Sequence, residues 1–291
     1  MILALVGPTG VGKTALSIAL AKHYEAVIIN FDSMQVYEQL DIGTAKVTAK
    51  EMEGVPHYLL SFVPLTKTYT VYDYQKEARE LLDRFLSQGR NVIFVGGTGL
   101  YLKAVFYDYQ FEKEKTVFDF SDLSNEELLE QIKKEGVSDP PHVNNRRRLE
   151  RLYSKIKNKE SLEKKGDQLL YPVTFVGLEA PREILYERIN QRVDEMFQDG
   201  LLEEVEKVKD YFPVSKALQT GIGYKEFLPY FQGECTLDEV KEEIKKNSRH
   251  YAKRQFTFFR NQFPVMWFET NYESFDQTIH EVLVAIEKGT S

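Results

Sequence analysis

Short apolar runs rich in β-branched residues recur along this chain, each bounded by glycine or polar residues: Ile2–Val6, Ala26–Phe31, Asn91–Val95, Pro172–Leu178 and Val265–Phe268. Their length and flanks predict five buried strands. Between them the apolar positions fall at helical spacing. Thr70, with Asp73 three residues on, opens one helix as a capping box; Tyr74, Ala78, Leu81, Leu82 and Phe85 form its inner face, and Gly89 stops it. Strand–helix–strand alternation implies an α/β fold, a parallel sheet flanked by helices on both faces.

The pattern changes between Tyr101 and Tyr171. The segment is charged, offers no strand of comparable quality, and opens a short helix with the box Ser124–Glu127. Pro181 suits a first helical position, and the helix it begins runs through Met196 to Gly200. A final long helix starts at Thr236, boxed by Glu239, and continues through Val240, Ile244 and Tyr251 to the aromatic run Phe256, Phe258 and Phe259. The expected organisation is a core begun by residues 1–101 and a mostly helical insertion over 102–200, interrupted by a core strand near 172–178. Residues 201–291 return to the core with C-terminal helices.

Composition narrows the class. At 291 residues the chain is long enough for a core carrying an insert, and 42% hydrophobic with 29% charged residues describes an ordinary globular protein. No stretch reaches the ~20 consecutive apolar residues that cross a bilayer, and no partner membrane is expected. The N-terminal MILALVGPTG lacks a positive n-region and reads as a buried strand instead of a signal peptide, which places the chain in the cytoplasm. The single cysteine, Cys235, makes no internal disulfide and no thiolate zinc site. Metal-ligand roles for His23, His57, His142, His250 and His280 are not expected. Net charge is -7, yet two stretches are locally basic. Residues 144–157 hold six Lys/Arg against Glu150 alone, and residues 241–260 hold seven against Glu242 and Glu243. Taken alone, such runs are usually solvated helix faces.

The chemistry-bearing motif follows the first strand. Gly7, Pro8, Thr9, Gly10, Val11, Gly12, Lys13 and Thr14 match G-x-x-x-x-G-K-[ST] in full, directly before the helical pattern Ala15–Tyr24. Glycines let backbone N–H groups turn inward around a phosphate, Lys13 supplies a charge, the helix adds its positive end, and the Thr14 hydroxyl is placed to hold Mg²⁺. The loop recognises linked phosphates. By itself it does not separate the end of ATP from a diphosphate ester, and ATP is its default ligand.

Two further segments sit at strand C-termini, where open α/β sheets gather ligand chemistry: Asp32-Ser33-Met34-Gln35-Val36-Tyr37 and Gly96-Gly97-Thr98-Gly99-Leu100-Tyr101. With the glycine loop, and with DPPHVNNRRRLERL, LYERINQRVDEMFQDGLLEEV, GIGYKE and RHYAKRQFTFFR in order, the chain resembles the tRNA dimethylallyltransferase (tRNA isopentenyltransferase) family over most of residues 1–260. The resemblance implies Mg²⁺-dependent transfer of a dimethylallyl group from dimethylallyl diphosphate to N6 of the adenosine 3′ of the anticodon, with release of diphosphate. It implies a P-loop core with a mostly helical insertion, and a channel into which the adenosine is extruded.

By the same resemblance Asp32 is the general base; the residue alone also reads as a helix N-cap or a magnesium ligand through water. Lys13, Thr14 and Thr98 complete the candidate catalytic set, although the turn around Thr98 equally suits close passage of backbone to ligand. Ser33, Met34 and Gln35 match positions that hold the target region of tRNA, and a Gln amide suits adenine. Lys245, Arg249 and Lys253, at i, i+4 and i+8, and Arg146 and Arg147 on the insertion are candidate contacts to the anticodon stem-loop. Some relatives place a diphosphate-gripping arginine shortly before the GYK segment. Here that stretch reads Leu218-Gln219-Thr220-Gly221-Ile222-Gly223-Tyr224, so Thr220 or Gln219 fills the place and diphosphate binding leans more on Lys13, magnesium or an arginine from elsewhere. The chain lacks the Cys/His set of the C-terminal zinc finger of some eukaryotic relatives and reads as the shorter bacterial form, a monomer. The alternatives are an isopentenyltransferase of free adenine nucleotides, a nucleoside or nucleotide kinase, and a nucleic-acid-binding NTPase.

Overall fold

The computed structural model describes residues 1–111, 118–158 and 166–289. In chain order the elements are β1 (Ile2–Val6), α1 (Lys13–His23), β2 (Val27–Asn30), α2 (Ala49–Met52), β3 (His57–Tyr58), α3 (Val71–Ser87), β4 (Val92–Val95) and α4 (Gly99–Phe106). They continue with α5 (Asn125–Lys134), α6 (Arg146–Lys157), β5 (Thr174–Glu179), α7 (Arg182–Gln198), α8 (Leu201–Val208), α9 (Lys216–Thr220), α10 (Phe227–Phe231), α11 (Leu237–Gln262), β6 (Val265–Glu269) and α12 (Phe275–Gly289). The capping boxes Thr70–Asp73, Ser124–Glu127 and Thr236–Glu239 all form, each Ser or Thr side chain accepting the backbone N–H three residues on.

The chain folds as two compact units, residues 1–107 with 169–291 and residues 108–168. The first is built on a parallel six-stranded sheet in the order β3-β2-β4-β1-β5-β6. Five strands match those expected. The sixth, β3, is a two-residue edge strand that pairs Ile28 with His57 and Ile29 with Tyr58, too short to leave a periodic signal. β1, β2 and β4 are central and apolar because both faces are covered. Alternation along them separates two cores. Ile2, Ala4, Val6, Ile29 and Phe94 pack with Tyr74, Ala78 and Leu82 of α3, Leu102 of α4, and Ile244 and Phe259 of α11. Leu3, Leu5, Ile28 and Ile93 pack with Leu16 and Leu20 of α1 and with Val282 and Ile286 of α12. Burying one such side chain is worth about 1.5–3 kcal/mol.

The second unit is smaller than the insertion expected over 102–200. It pairs α5 with α6 around Phe120, Leu128, Ile132, Leu149 and Tyr153. α7 belongs instead to the first unit, because Leu185 and Ile189 are buried in the sheet's second core and Val193 in its first. The expected insertion ran on to residue 200, whereas those three apolar positions are the stripe that binds α7 to the sheet. In the second unit the Arg146 guanidinium is bound to the carbonyls of Leu123 and Phe120 and to Glu150, the last at 2.6 Å.

Candidate active site

The sheet order places β2, β4 and β1 side by side, so the segments leaving their C-terminal ends meet: Asp32–Gln35, Gly96–Gly99 and the loop Gly7–Thr14. All three border one cavity of about 1010 Å³.

The loop turns because Gly12, at φ 102°, caps α1 in the left-handed region that a side chain disfavours. Lys13 folds back over the loop, its Nζ donating to the carbonyls of Gly7 at 2.9 Å and Pro8 at 2.8 Å. Burial, reinforced by the positive charge of Arg192 and opposed by Asp32, lowers the Lys13 pKa to about 7. An ammonium held this way, with backbone N–H groups beside it, is a seat for an anion.

Asp32 leaves β2 into the same cavity. Its Oδ1 accepts the backbone N–H of Met34 at 2.9 Å and of Gln35 at 3.4 Å, so it caps a turn; no helix follows, and the helix N-cap that the residue alone also suggested does not form. Burial raises the Asp32 carboxyl above its ordinary value; those two N–H groups, Lys13 and Arg192 pull the other way. The Asn30 side chain braces the backbone beneath it, accepting from Asp32 N at 3.1 Å and donating to the Leu59 carbonyl at 2.9 Å. Thr98 ties the neighbouring turn to the same place: its hydroxyl accepts from Ser33 N at 2.9 Å and lies 3.1 Å from the Ser33 hydroxyl. Gly96 makes the approach possible, since a Cβ there would sit 2.5 Å from the Phe31 carbonyl carbon.

Other expected residues are placed differently from one another. Gln35 donates its amide to the carbonyls of Thr44 at 3.1 Å and Ala45 at 3.3 Å, which commits its N–H groups to the protein. Met34 lines the cavity against Gly221. Lys245 is paired with Asp194 at 3.0 Å and Glu242 at 2.9 Å and is mostly buried. Arg249 donates to the Asn190 side chain at 2.5 Å. Lys253 and Arg254 are exposed, with no ion pair among the described residues; Arg254 also borders the cavity. Arg147 is exposed on α6, whereas Arg146 is spent inside its own unit. Gln219 donates to the carbonyls of Phe212 and Pro213, leaving Thr220 on the cavity wall without the charge of an arginine.

The structure also brings in residues that sequence reasoning passed over. Gln255 of α11 accepts from Thr9 N at 3.0 Å and donates to the Gly97 carbonyl at 3.0 Å, joining the phosphate loop to the turn after β4. Tyr251, one turn earlier, reaches the same carbonyl at 3.4 Å. Glu204 accepts the backbone N–H groups of Asp41, Ile42 and Gly43 and the hydroxyl of Tyr224, all within 3.1 Å, and so fixes the segment whose carbonyls hold Gln35. Arg188 and Arg192, one helical turn apart on α7, both reach the loop. Their i, i+4 spacing was visible in the sequence; the partners of Gln255 and the backbone partners of Glu204, more than 150 residues away, were not.

A loop shaped for linked phosphates, sharing a cavity with a half-buried carboxylate, defines an α/β P-loop enzyme that handles a phosphate ester with an acid–base group at hand. Comparison with known proteins is more specific. A family model described as IPP transferase matches residues 35–262. The tRNA dimethylallyltransferase of Anoxybacillus flavithermus is 45% identical over 98% of this chain and 96% of its own length. That of Bacillus subtilis is 42% identical over 92% and 90%. Among solved structures, the tRNA isopentenylpyrophosphate transferase of Bacillus halodurans superposes with a TM-score of 0.78 at 38% identity, covering 99% of this chain and 95% of the other. A eukaryotic dimethylallyltransferase caught acting on tRNA superposes with a TM-score of 0.70 at 27% identity, covering 91% and 73%. The chain belongs to the IPP transferase family, a family of prenyltransferases.

Proposed function

We propose that this chain transfers a dimethylallyl group from dimethylallyl diphosphate to the exocyclic N6 of the adenosine 3′-adjacent to the anticodon of tRNA, releasing diphosphate. Breaking the bond between C1 of the prenyl group and the diphosphate oxygen leaves carbocation character on the allyl group and negative charge on the leaving oxygens. The loop N–H groups and Lys13 stabilise that negative charge. N6 attacks C1, and Asp32 takes the proton that N6 must lose. The observation that carries this reading is that Asp32 and Lys13 share one cavity and lie close enough for the charge of each to shift the other's pKa. Burial also raises the Asp32 carboxyl above its ordinary value, which makes it a stronger base.

Magnesium suits these residues. Mg²⁺ binds readily through few protein ligands when substrate phosphates and water complete its shell. The exposed Thr14 hydroxyl, on the cavity wall, would hold it, and the ion would supply charge neutralisation to the diphosphate. Thr98 keeps Ser33 and Asp32 in place, and Ser33, Met34 and Gln35 border the adenosine. The anticodon stem-loop lies along the exposed cations Lys253 and Arg254 of α11; Arg147, exposed on the second unit, is a cation of that unit free to meet RNA. Lys245 and Arg249, engaged with Asp194 and Asn190, hold α7 to α11 rather than a phosphate. No helix among the described residues is long and apolar enough to cross a membrane. The enzyme works as a monomer in the cytoplasm.

The test is to incubate the protein with Mg²⁺, dimethylallyl diphosphate and unmodified tRNA, digest the RNA and look by mass spectrometry for prenylated adenosine. Product with the wild type and a loss of about 10²–10⁴-fold in Asp32→Ala is expected. No product, with ATP hydrolysis or nucleoside phosphorylation in a parallel assay, would overturn the reading.

A further inference from the structure

α7 presents Arg192 to the phosphate loop in an unusual state. The guanidinium is half-buried on the cavity wall, and its contacts are long ones to neutral acceptors: Nη1 to the Thr9 hydroxyl at 3.4 Å and Nη2 to the Ala45 carbonyl at 3.5 Å. Glu51, Glu195 and Asp32 attract it from a distance, but no carboxylate among the described residues lies within ion-pair reach. A guanidinium carries five N–H donors, and withdrawing it from water without a close anion is costly. Burial lowers its pKa, and its charge in turn depresses that of Lys13, so two cations face the loop and repel each other. Such an arrangement is relieved by an anion of two or more charges placed between them. Arg188, one turn earlier on the same face, donates to the Gly10 carbonyl at 3.3 Å and lies over the Tyr272 ring at 4.1 Å, which holds this side of α7 against the loop.

We propose that Arg192 is a ligand of the donor's diphosphate, its planar fork taking two oxygens of the anion seated on the loop, opposite Lys13. The proposal rests on the reading of the loop as a diphosphate site. It explains how the cavity grips a diphosphate when Gln219 is turned away and Thr220 carries no charge. Arg is suited to this place because a planar fork matches phosphate geometry and a lysine does not.

The experiment compares the wild type with Arg192→Met and Arg192→Lys. Inorganic diphosphate is titrated by calorimetry with Mg²⁺ present, and KM is measured separately for dimethylallyl diphosphate and for tRNA. Loss of one charge-assisted contact is expected to weaken diphosphate binding and raise the donor KM by roughly 10- to 100-fold in Arg192→Met. Arg192→Lys should fall between, with the tRNA KM within about twofold of wild type and the melting temperature unchanged. Were Arg192 only a tether for Thr9 and Ala45, the methionine variant would lower the melting temperature and leave diphosphate binding alone; that result overturns the proposal. Unchanged diphosphate affinity in a stable variant overturns it too. The two readings fail separately: a wild type that binds diphosphate through Arg192 but makes no prenylated adenosine sinks the transferase and leaves this site standing.

Discussion

Gly96→Ala tests how tightly the sheet sets the position of the base. An alanine Cβ at this position would lie 2.5 Å from the Phe31 carbonyl carbon and 2.8 Å from both Asp32 N and the Phe31 carbonyl oxygen. Ordinary contact begins near 3.4 Å, so the backbone of residues 31–32 must retreat by about 0.9 Å from the turn after β4. Those atoms are backbone and have no alternative rotamer to adopt. The retreat strains two links, from Phe31 N to the Val95 carbonyl at 2.9 Å and from Thr98 N to the Phe31 carbonyl at 3.2 Å. Overpacking of this kind costs about 1–3 kcal/mol, so the variant should fold, with a modestly lower melting temperature. The larger effect falls on Asp32, because a misplacement near 1 Å costs on the order of 10²-fold in rate when reacting groups must be aligned. The glycine loop lies on β1 and α1 and is not displaced. The expected outcome in single-turnover prenylation of an anticodon stem-loop is a rate lower by about 10²-fold, with diphosphate affinity within about twofold of wild type. A folded variant that turns over within threefold of wild type would show that contact between these two turns does not set the geometry of the base.

Other outcomes follow from the same contacts. In Glu204→Gln an amide NH₂ must replace an oxygen that now accepts two donors, so at least two of the groups on Asp41, Ile42, Gly43 and Tyr224 lose their acceptor. The expected cost is about 3 kcal/mol, a melting point lower by roughly 6–12 °C, and a change under 2 °C in a thermal melt would refute the clamp. Lys13 at a pKa of about 7 is largely neutral in the free enzyme above that pH, whereas a bound diphosphate favours its charged form. Binding a non-reactive prenyl diphosphate analogue at pH 8.5 should therefore take up close to one proton, measured by calorimetry in buffers of different ionisation enthalpy; no uptake would refute it. The sign for stability is set by the same shift. The unfolded chain, with lysine at 10.5, binds more protons than the folded one between pH 7 and 10.5, so this group makes the free protein more stable as pH rises through that window.

The sequence by itself determined the parts that are local. The five apolar runs, the three capping boxes and the full glycine loop each act over a few residues, through burial, backbone hydrogen bonding and φ > 0 at glycine, and each sits where the sequence placed it. Alternation of strand and helix was enough for a parallel α/β core, because right-handed crossovers leave few other ways to bury such strands. What only the tertiary structure decided is which side chains remain available. Lys245, Arg249 and Lys253 share a spacing, yet α7 packs against α11 and takes the first two, leaving the third in solvent. Arg146 and Arg147 are neighbours in one basic run, and the turn before α5 consumes one of them. Gln255 and Glu204 have no local signal, since Thr9 and Gly97 for the first and Asp41, Ile42 and Gly43 for the second lie more than 150 residues away. Arg192 reads as one more charge on an amphipathic helix until the sheet order sets α7 beside the loop. Its meaning depends on the absence of a carboxylate within reach among the described residues, a property of packing in three dimensions that no stretch of sequence contains.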